Sequence, residues 1–268
     1  MSPTLKRDEV ELYWSAEGDG DPVIAIPGLS YTIATWDALV EALVGAGHRV
    51  YRFDLRGHGR SSVPAQPYSF SDVLADLEAL VGEWKLERPV LCGLSVGSFL
   101  SLAYAIEHPG DVRALVLASG SPAARPEDAT LAAQLLAGAE ESGAIEGWWE
   151  ALTPVLYSEA HRSRGGEPLA RARREFVAQS PLGIAQMLEA VANREDLSGR
   201  LAEVAAPTLV LGAEEDALFP PPIQRQLADG IPEATLTLLE CGHVSNEELP
   251  DEFNAAVLGF LASLPPAG

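Results

Sequence analysis

Two hydrophobic rhythms alternate along the 268-residue chain. Short apolar runs read as strands: 10–14, which alternates as an edge strand does, then 22–26, 49–53, 89–92 and 113–118. Between them the spacing lengthens to that of helices. Trp36, Leu39, Val40, Leu43 and Val44 share one helical face until Gly45 and Gly47 close it. Residues 72–84 are amphipathic with Ser71 in place as N-cap, and 99–106 stay apolar up to His108-Pro109-Gly110. Strands alternating with helices predict a parallel sheet with right-handed crossovers.

The rhythm stops after Gly120. Residues 121–206 contain helical stretches around 129–137, 169–178 and 184–192 and no convincing strand. Alternation resumes with strands at 207–211 and 235–239, a helix near 223–228 and a closing helix over 253–264. The pattern predicts an α/β core made of residues 1–120 and 207–268, with 121–206 inserted between two strands as a helical cap.

Composition narrows what such a domain works on. Hydrophobic residues make up 47% of the chain, enough for a sizeable core. The net charge of −21 argues against nucleic acid or an anionic membrane as a partner, since both are repelled at long range. The opening residues lack the apolar centre of a signal peptide, and no apolar run approaches a membrane span. Two cysteines, Cys92 and Cys241, make no disulfide framework, and no Cys/His spacing suggests a metal site. A cytoplasmic protein acting on a small molecule without a cofactor is expected.

Gly93-Leu94-Ser95-Val96-Gly97 sits where the strand 89–92 gives way to a helix. In that context G-x-S-x-G makes a tight turn that lifts the serine hydroxyl above the sheet, and the glycines are small because a side chain would strike the helix or a strand. Ser95 is therefore a candidate nucleophile, which needs a base and an acid to orient it. Of the five histidines, His48, His58, His108 and His161 lie in a helix-to-strand connection, a glycine-rich loop, a helix stop and an arginine-rich stretch. His243 alone follows a late strand, at the end of the sheet where ligands of open α/β folds bind. The acid is expected after another strand, and Glu214, Glu215 and Asp216 all qualify.

These pieces resemble the α/β-hydrolase fold family over nearly the whole chain. The resemblance rests on Pro27-Gly28-Leu29 with Trp36 downstream, DLRGHGRSS from Asp54, the Ser95 turn, PTLVLGAEEDALFPP from Pro207 and CGHVSNEELPDEF from Cys241. Within the family the chain is most similar to the 3-oxoadipate enol-lactonase-like and small-esterase branch. The resemblance implies a central, mostly parallel sheet flanked by helices and a Ser95–Asp216–His243 triad. It implies an oxyanion hole from the backbone N–H groups of Leu29 and Val96, and hydrolysis of an ester or lactone through an acyl-enzyme. Pro27 stands where the family usually has a histidine supporting the oxyanion loop. Serine at position 95 argues against the dehalogenase and epoxide-hydrolase branches, which use aspartate there. A carbon–carbon bond hydrolase, a cofactor-free perhydrolase, an acyltransferase and a slow-turnover ligand sensor are alternatives on the same scaffold.

Substrate contacts are less legible. Trp148, Trp149, Tyr157, Phe176 and Met187 fit either a substrate pocket or the cap's own core. Arg162, Arg164, Arg171, Arg173 and Arg174 concentrate positive charge in an acidic chain. They read either as a solvated face paired with Glu167 and Glu175 or as a pocket mouth that takes a substrate carboxylate. DLRGHGRSS has the wrong glycine spacing for a phosphate loop and reads as a structural loop with Asp54 and Arg56 in ion pairs.

Overall fold

A computed structural model describes residues 3–139, 141 and 143–265 of the protein. The chain opens with β1 (Thr4–Arg7), β2 (Val10–Glu17) and β3 (Asp21–Ile26), then α1 (Asp37–Gly45) and β4 (His48–Phe53). It continues through α2 (Phe70–Trp84), β5 (Val90–Leu94), α3 (Val96–Glu107) and β6 (Ala114–Ala118). A helical block follows: α4 (Asp128–Gly138), α5 (Ala144–Leu156), α6 (Glu159–Arg164), α7 (Gly166–Val177) and α8 (Pro181–Ala192). The chain ends with β7 (Thr208–Ala213), α9 (Pro221–Gly230), β8 (Ala234–Leu239), α10 (Ser245–Glu248) and α11 (Pro250–Ser263).

The eight strands form one sheet in the order β1-β2-β4-β3-β5-β6-β7-β8. β2 runs antiparallel to both its neighbours, and the strands from β4 to β8 are parallel to one another. Continuous apolar runs suit such strands because both faces are covered. Val23, Cys92 and Val116 look toward a layer holding Trp36, Leu43 and Phe253. Ile24, Leu91 and Leu115, one residue along, look toward Leu77, Leu80 and Leu100 on the opposite side. Each such Leu, Ile or Phe contributes about 1.5–3 kcal/mol by leaving water.

Three local details differ from expectation. The strand beginning at Val10 is not the edge: β1 pairs outside it, a four-residue strand too polar and too short to register as a hydrophobic pattern. α2 starts two residues early and is capped by Ser69, not Ser71. α5 keeps helical apolar spacing at Ile145, Trp148, Trp149, Leu152 and Leu156, yet is not among the expected helices because Gly147 and Pro154 lower its helix propensity. Among the described residues between β6 and β7 there is no strand, only helices and a short 3₁₀ segment at Ser198–Glu203. Residues 1, 2, 140, 142 and 266–268 of the expected core and cap lie outside the described residues.

The helical block is seated on the core. Gly57, in the loop after β4, and Gly183, in α8, approach so closely that a Cβ on either would strike the other's backbone. In the same loop Asp54 accepts from the amides of Ile33 (2.8 Å) and Arg60 (2.9 Å), and Arg56 grips Asp76 through two 2.6 Å hydrogen bonds. Among the described residues no helix is long and apolar enough to cross a membrane.

Candidate active site

β5 ends at Leu94 and α3 begins at Val96, so Ser95 alone makes the turn from sheet to helix. Its backbone sits at φ 52°, ψ −110°, a conformation that an L-residue keeps only where its surroundings impose it. The surroundings do so here. The Ser95 amide donates to the Ala118 carbonyl of β6 at 2.9 Å, and the Ser95 carbonyl accepts from Phe99 at 3.0 Å. A Cβ on Gly93 would run into the Gly97 carbonyl, and one on Gly97 into the Ile26 carbonyl of β3.

His243 follows β8 and is almost fully buried, with Nδ1 2.9 Å from Asp216 Oδ2. An ionised carboxylate only accepts, so Nδ1 carries a proton, and in the neutral imidazole Nε2 is then the acceptor. Asp216 sits in the turn after β7, where its Oδ1 accepts from the amides of Leu218 and Phe219, both at 2.9 Å. Burial disfavours its charge, but His243 and those amides outweigh burial and hold the carboxyl below the usual range. Glu214 and Glu215 are exposed, so of the three acidic residues the structure brings only Asp216 to His243. His48, His58, His108 and His161 lie elsewhere; His108, for example, pairs with Glu78 at 2.8 Å.

The loop carrying His243 is held from two sides. Ser119 Oγ, at the end of β6, donates to the His243 carbonyl at 2.7 Å. From the helical block, the Leu156 carbonyl accepts from Val244 at 3.3 Å. The buried Glu248 carboxylate accepts from the Gly242 amide (3.0 Å), the Ser158 amide (3.1 Å) and Ser158 Oγ (2.5 Å). Sheet, histidine loop and the α5–α6 junction thus form one hydrogen-bonded unit.

Ser95, His243, Leu29 and Val96 line a narrow cavity of about 80 Å³. Val96 is the first residue of α3, where helix geometry leaves the N–H free. The Leu29 amide has no backbone acceptor among the described residues. The walls are mainly aliphatic, with Leu131 and Leu135 of α4, Leu152 and Leu156 of α5, and Leu188 of α8. One polar spot is the pair Arg125–Asp128, joined at 2.8 Å, with the guanidinium over the Phe219 ring. The other is Tyr31, whose hydroxyl meets that of Tyr157 at 2.9 Å. Tyr157 in turn donates to Glu247 Oε2 at 2.8 Å, while Thr35 Oγ1 donates to Oε1 at 2.9 Å. Burial raises the Glu247 carboxyl, and the Tyr157 and Thr35 hydroxyls pull against that shift.

The structure does not bring Trp148, Trp149, Tyr157 or Met187 to this cavity. Trp149 packs on Phe176 (5.5 Å between centroids) and Tyr157 (6.1 Å), with Trp148 half-buried against the same cluster. Met187 of α8 is fully buried in the hydrophobic cluster that also holds Leu77 and Phe99. Nor does any of the five clustered arginines line it. Arg171 reaches Glu175 and Asp37, Arg174 pairs with Glu167 at 2.5 Å, and Arg162 donates to the Tyr157 carbonyl at 3.2 Å. The lining that the sequence reading missed, Tyr31, Arg125, Asp128 and the leucines, had one available signal: Leu131/Leu135 and Leu152/Leu156 recur at i, i+4 and so each share a helix face.

A family model described as alpha/beta hydrolase fold matches residues 21–250. A protein of Variovorax paradoxus named as a carbamate hydrolase is 30% identical over 266 residues, covering 96% of this chain and 98% of that one. The 3-oxoadipate enol-lactonase 2 of Acinetobacter baylyi is 27% identical over 264 residues, 95% of this chain and 94% of that one. The crystal structure of an enol-lactonase from Burkholderia xenovorans superposes with a TM-score of 0.90 at 27% identity, covering 97% of this chain and all of the other.

Proposed function

Because the chain belongs to the alpha/beta hydrolase family and is a hydrolase, we propose that it cleaves a carboxylic ester or lactone of a small molecule through an acyl-enzyme on Ser95. One observation carries the reading. A serine held at positive φ and a histidine already hydrogen-bonded to a buried carboxylate face the same cavity. His243 Nε2 takes the Ser95 proton as the hydroxyl attacks the carbonyl carbon, while Asp216 fixes the imidazole tautomer and stabilises the imidazolium. The amides of Leu29 and Val96 bind the oxyanion, each worth about 3–4 kcal/mol in the transition state. Collapse of the tetrahedral intermediate expels the alcohol, which takes the proton from His243. Water activated by the same histidine then releases the acid, and no cofactor enters. The helical block acts as a cap that roofs the cavity with leucines, which favours an uncharged, mostly aliphatic acyl group.

Carbamate hydrolysis is the second reading, favoured by the 30% identity to the Variovorax protein over almost the full length of both chains. The same groups would pass through a carbamoylated Ser95. A panel of aryl esters, lactones and aryl carbamates with turnover measured for each separates the two. The ester or lactone reading expects steady turnover of short-chain esters or lactones, with carbamates acylating once and stalling. Faster turnover of carbamates than of esters and lactones would transfer the assignment.

A further inference from the structure

Phe99, one helical turn after Ser95, is a wall of two cavities at once. On one side is the leucine-lined cavity of about 80 Å³ at Ser95. On the other is a more open pocket of about 560 Å³ between α2, α3 and the segment after α8, bounded by Phe70, Leu74, Leu102, Asn193, Arg194 and Leu197. The guanidinium of Arg194 lies over the Phe99 ring, 3.9 Å from its centroid. It donates to the carbonyl of Val191 at 2.9 Å and to that of Ala123, so it joins the end of α8 to the chain that leaves the sheet after β6. Val191 itself lines the smaller cavity. Burial lowers Arg194 to about 10, so the fold bears a cost to keep a cation at that spot.

We propose that the stacked pair Phe99–Arg194 is a partition that sets how long an aliphatic group the site accepts, closing the Ser95 cavity against the larger pocket. The proposal rests on the reading of Ser95 as the nucleophile. The group excluded is a neutral chain: Phe70, Leu74, Leu102 and Leu197 give the larger pocket an apolar wall, and the carboxylates on its border, Glu78, Glu107 and Glu195, are already paired with His108 and Arg200. Arg194 holds the ring from behind, and Phe219 meets it edge-on at 5.4 Å from the histidine side. The ring therefore has little room to turn away on its own.

The test is the ratio of kcat/KM for an octanoyl to an acetyl aryl ester with the same leaving group, in the wild type, Phe99→Ala and Arg194→Ala. A wild type that prefers acetyl is expected. The ratio should rise about 10-fold or more in Phe99→Ala, since even one methylene of pocket space is worth 10-fold or more in discrimination. A smaller rise is expected in Arg194→Ala, which frees the ring but leaves its contact with Phe219. Thermal melts check that each variant is folded, and Arg194→Ala carries the test if Phe99→Ala is not. Binding of 1-octanol against ethanol, followed by calorimetry, reads the same partition without turnover, and only the variants should gain affinity for the longer alcohol. A ratio and an octanol affinity unchanged in the folded variants would overturn the partition. Ester turnover that survives Ser95→Ala would instead defeat the reading of Ser95, and the octanol comparison would still judge the partition.

Discussion

Asp216 and its two glutamate neighbours are chemically almost alike in the sequence, and only position separates them. The chain turns after β7 so that Asp216 points inward to His243 while Glu214 and Glu215 stay in water. Asp216→Asn should lower kcat by about 10⁴, because an amide in its place allows the wrong imidazole tautomer. Glu214→Gln and Glu215→Gln should remain close to wild type in the same assay. A second residue-scale consequence concerns His58, which is buried with Nδ1 3.1 Å from the Arg56 carbonyl and Nε2 without a partner among the described residues. Burial lowers its pKa from 6.5 to about 4. Between those values the unfolded chain binds the proton and the folded one does not, so the contribution to stability is whole above pH 6.5 and is lost as pH falls toward 4. The loss over that window amounts to about 3 kcal/mol. Denaturant unfolding at pH 7 and at pH 4.5 should show it, and His58→Asn, which keeps a donor for the Arg56 carbonyl, should flatten the difference.

At the scale of elements, the strands were the most legible feature. β3, β5, β6 and β7 are buried on both faces and so are continuous apolar runs, and the Ser95 turn announces itself by glycines whose absent side chains make room for two backbones. Helix ends were less legible because several residues near one end can cap. Ser69 is the cap of α2: it accepts from the Asp72 amide at 3.3 Å, and the Asp72 carboxylate accepts from the Ser69 amide at 2.9 Å. Ser69→Ala should cost about 1 kcal/mol in chemical unfolding, and Ser71→Ala close to nothing. The cavity walls were the least legible. Trp149, Leu152 and Leu156 share one face of α5, and position along the axis separates them: Trp149 packs on Phe176 and Tyr157 while Leu152 and Leu156 reach the cavity. An aromatic residue on the apolar face of a helical block carries no mark in the sequence to say whether it meets another helix or a cavity.

Across the whole molecule, the candidate site is a product of topology. Leu29 follows β3, Ser95 follows β5, Asp216 follows β7 and His243 follows β8, so parallel strands deliver all four to the same edge of the sheet. That arrangement was legible because chain order and strand ends are properties of the sequence. The roof was not, since it is assembled from α4, α5 and α8 through contacts distant in the chain. The proposed hydrolysis requires Ser95 as the nucleophile activated by His243, and covalent labelling tests this most directly. Intact-protein mass spectrometry after brief exposure to a fluorophosphonate should give one adduct, mapped by peptide analysis to Ser95, that is absent in Ser95→Ala and strongly slowed in His243→Ala. An unlabelled wild type, or an adduct at another residue together with full ester turnover by Ser95→Ala, would contradict it.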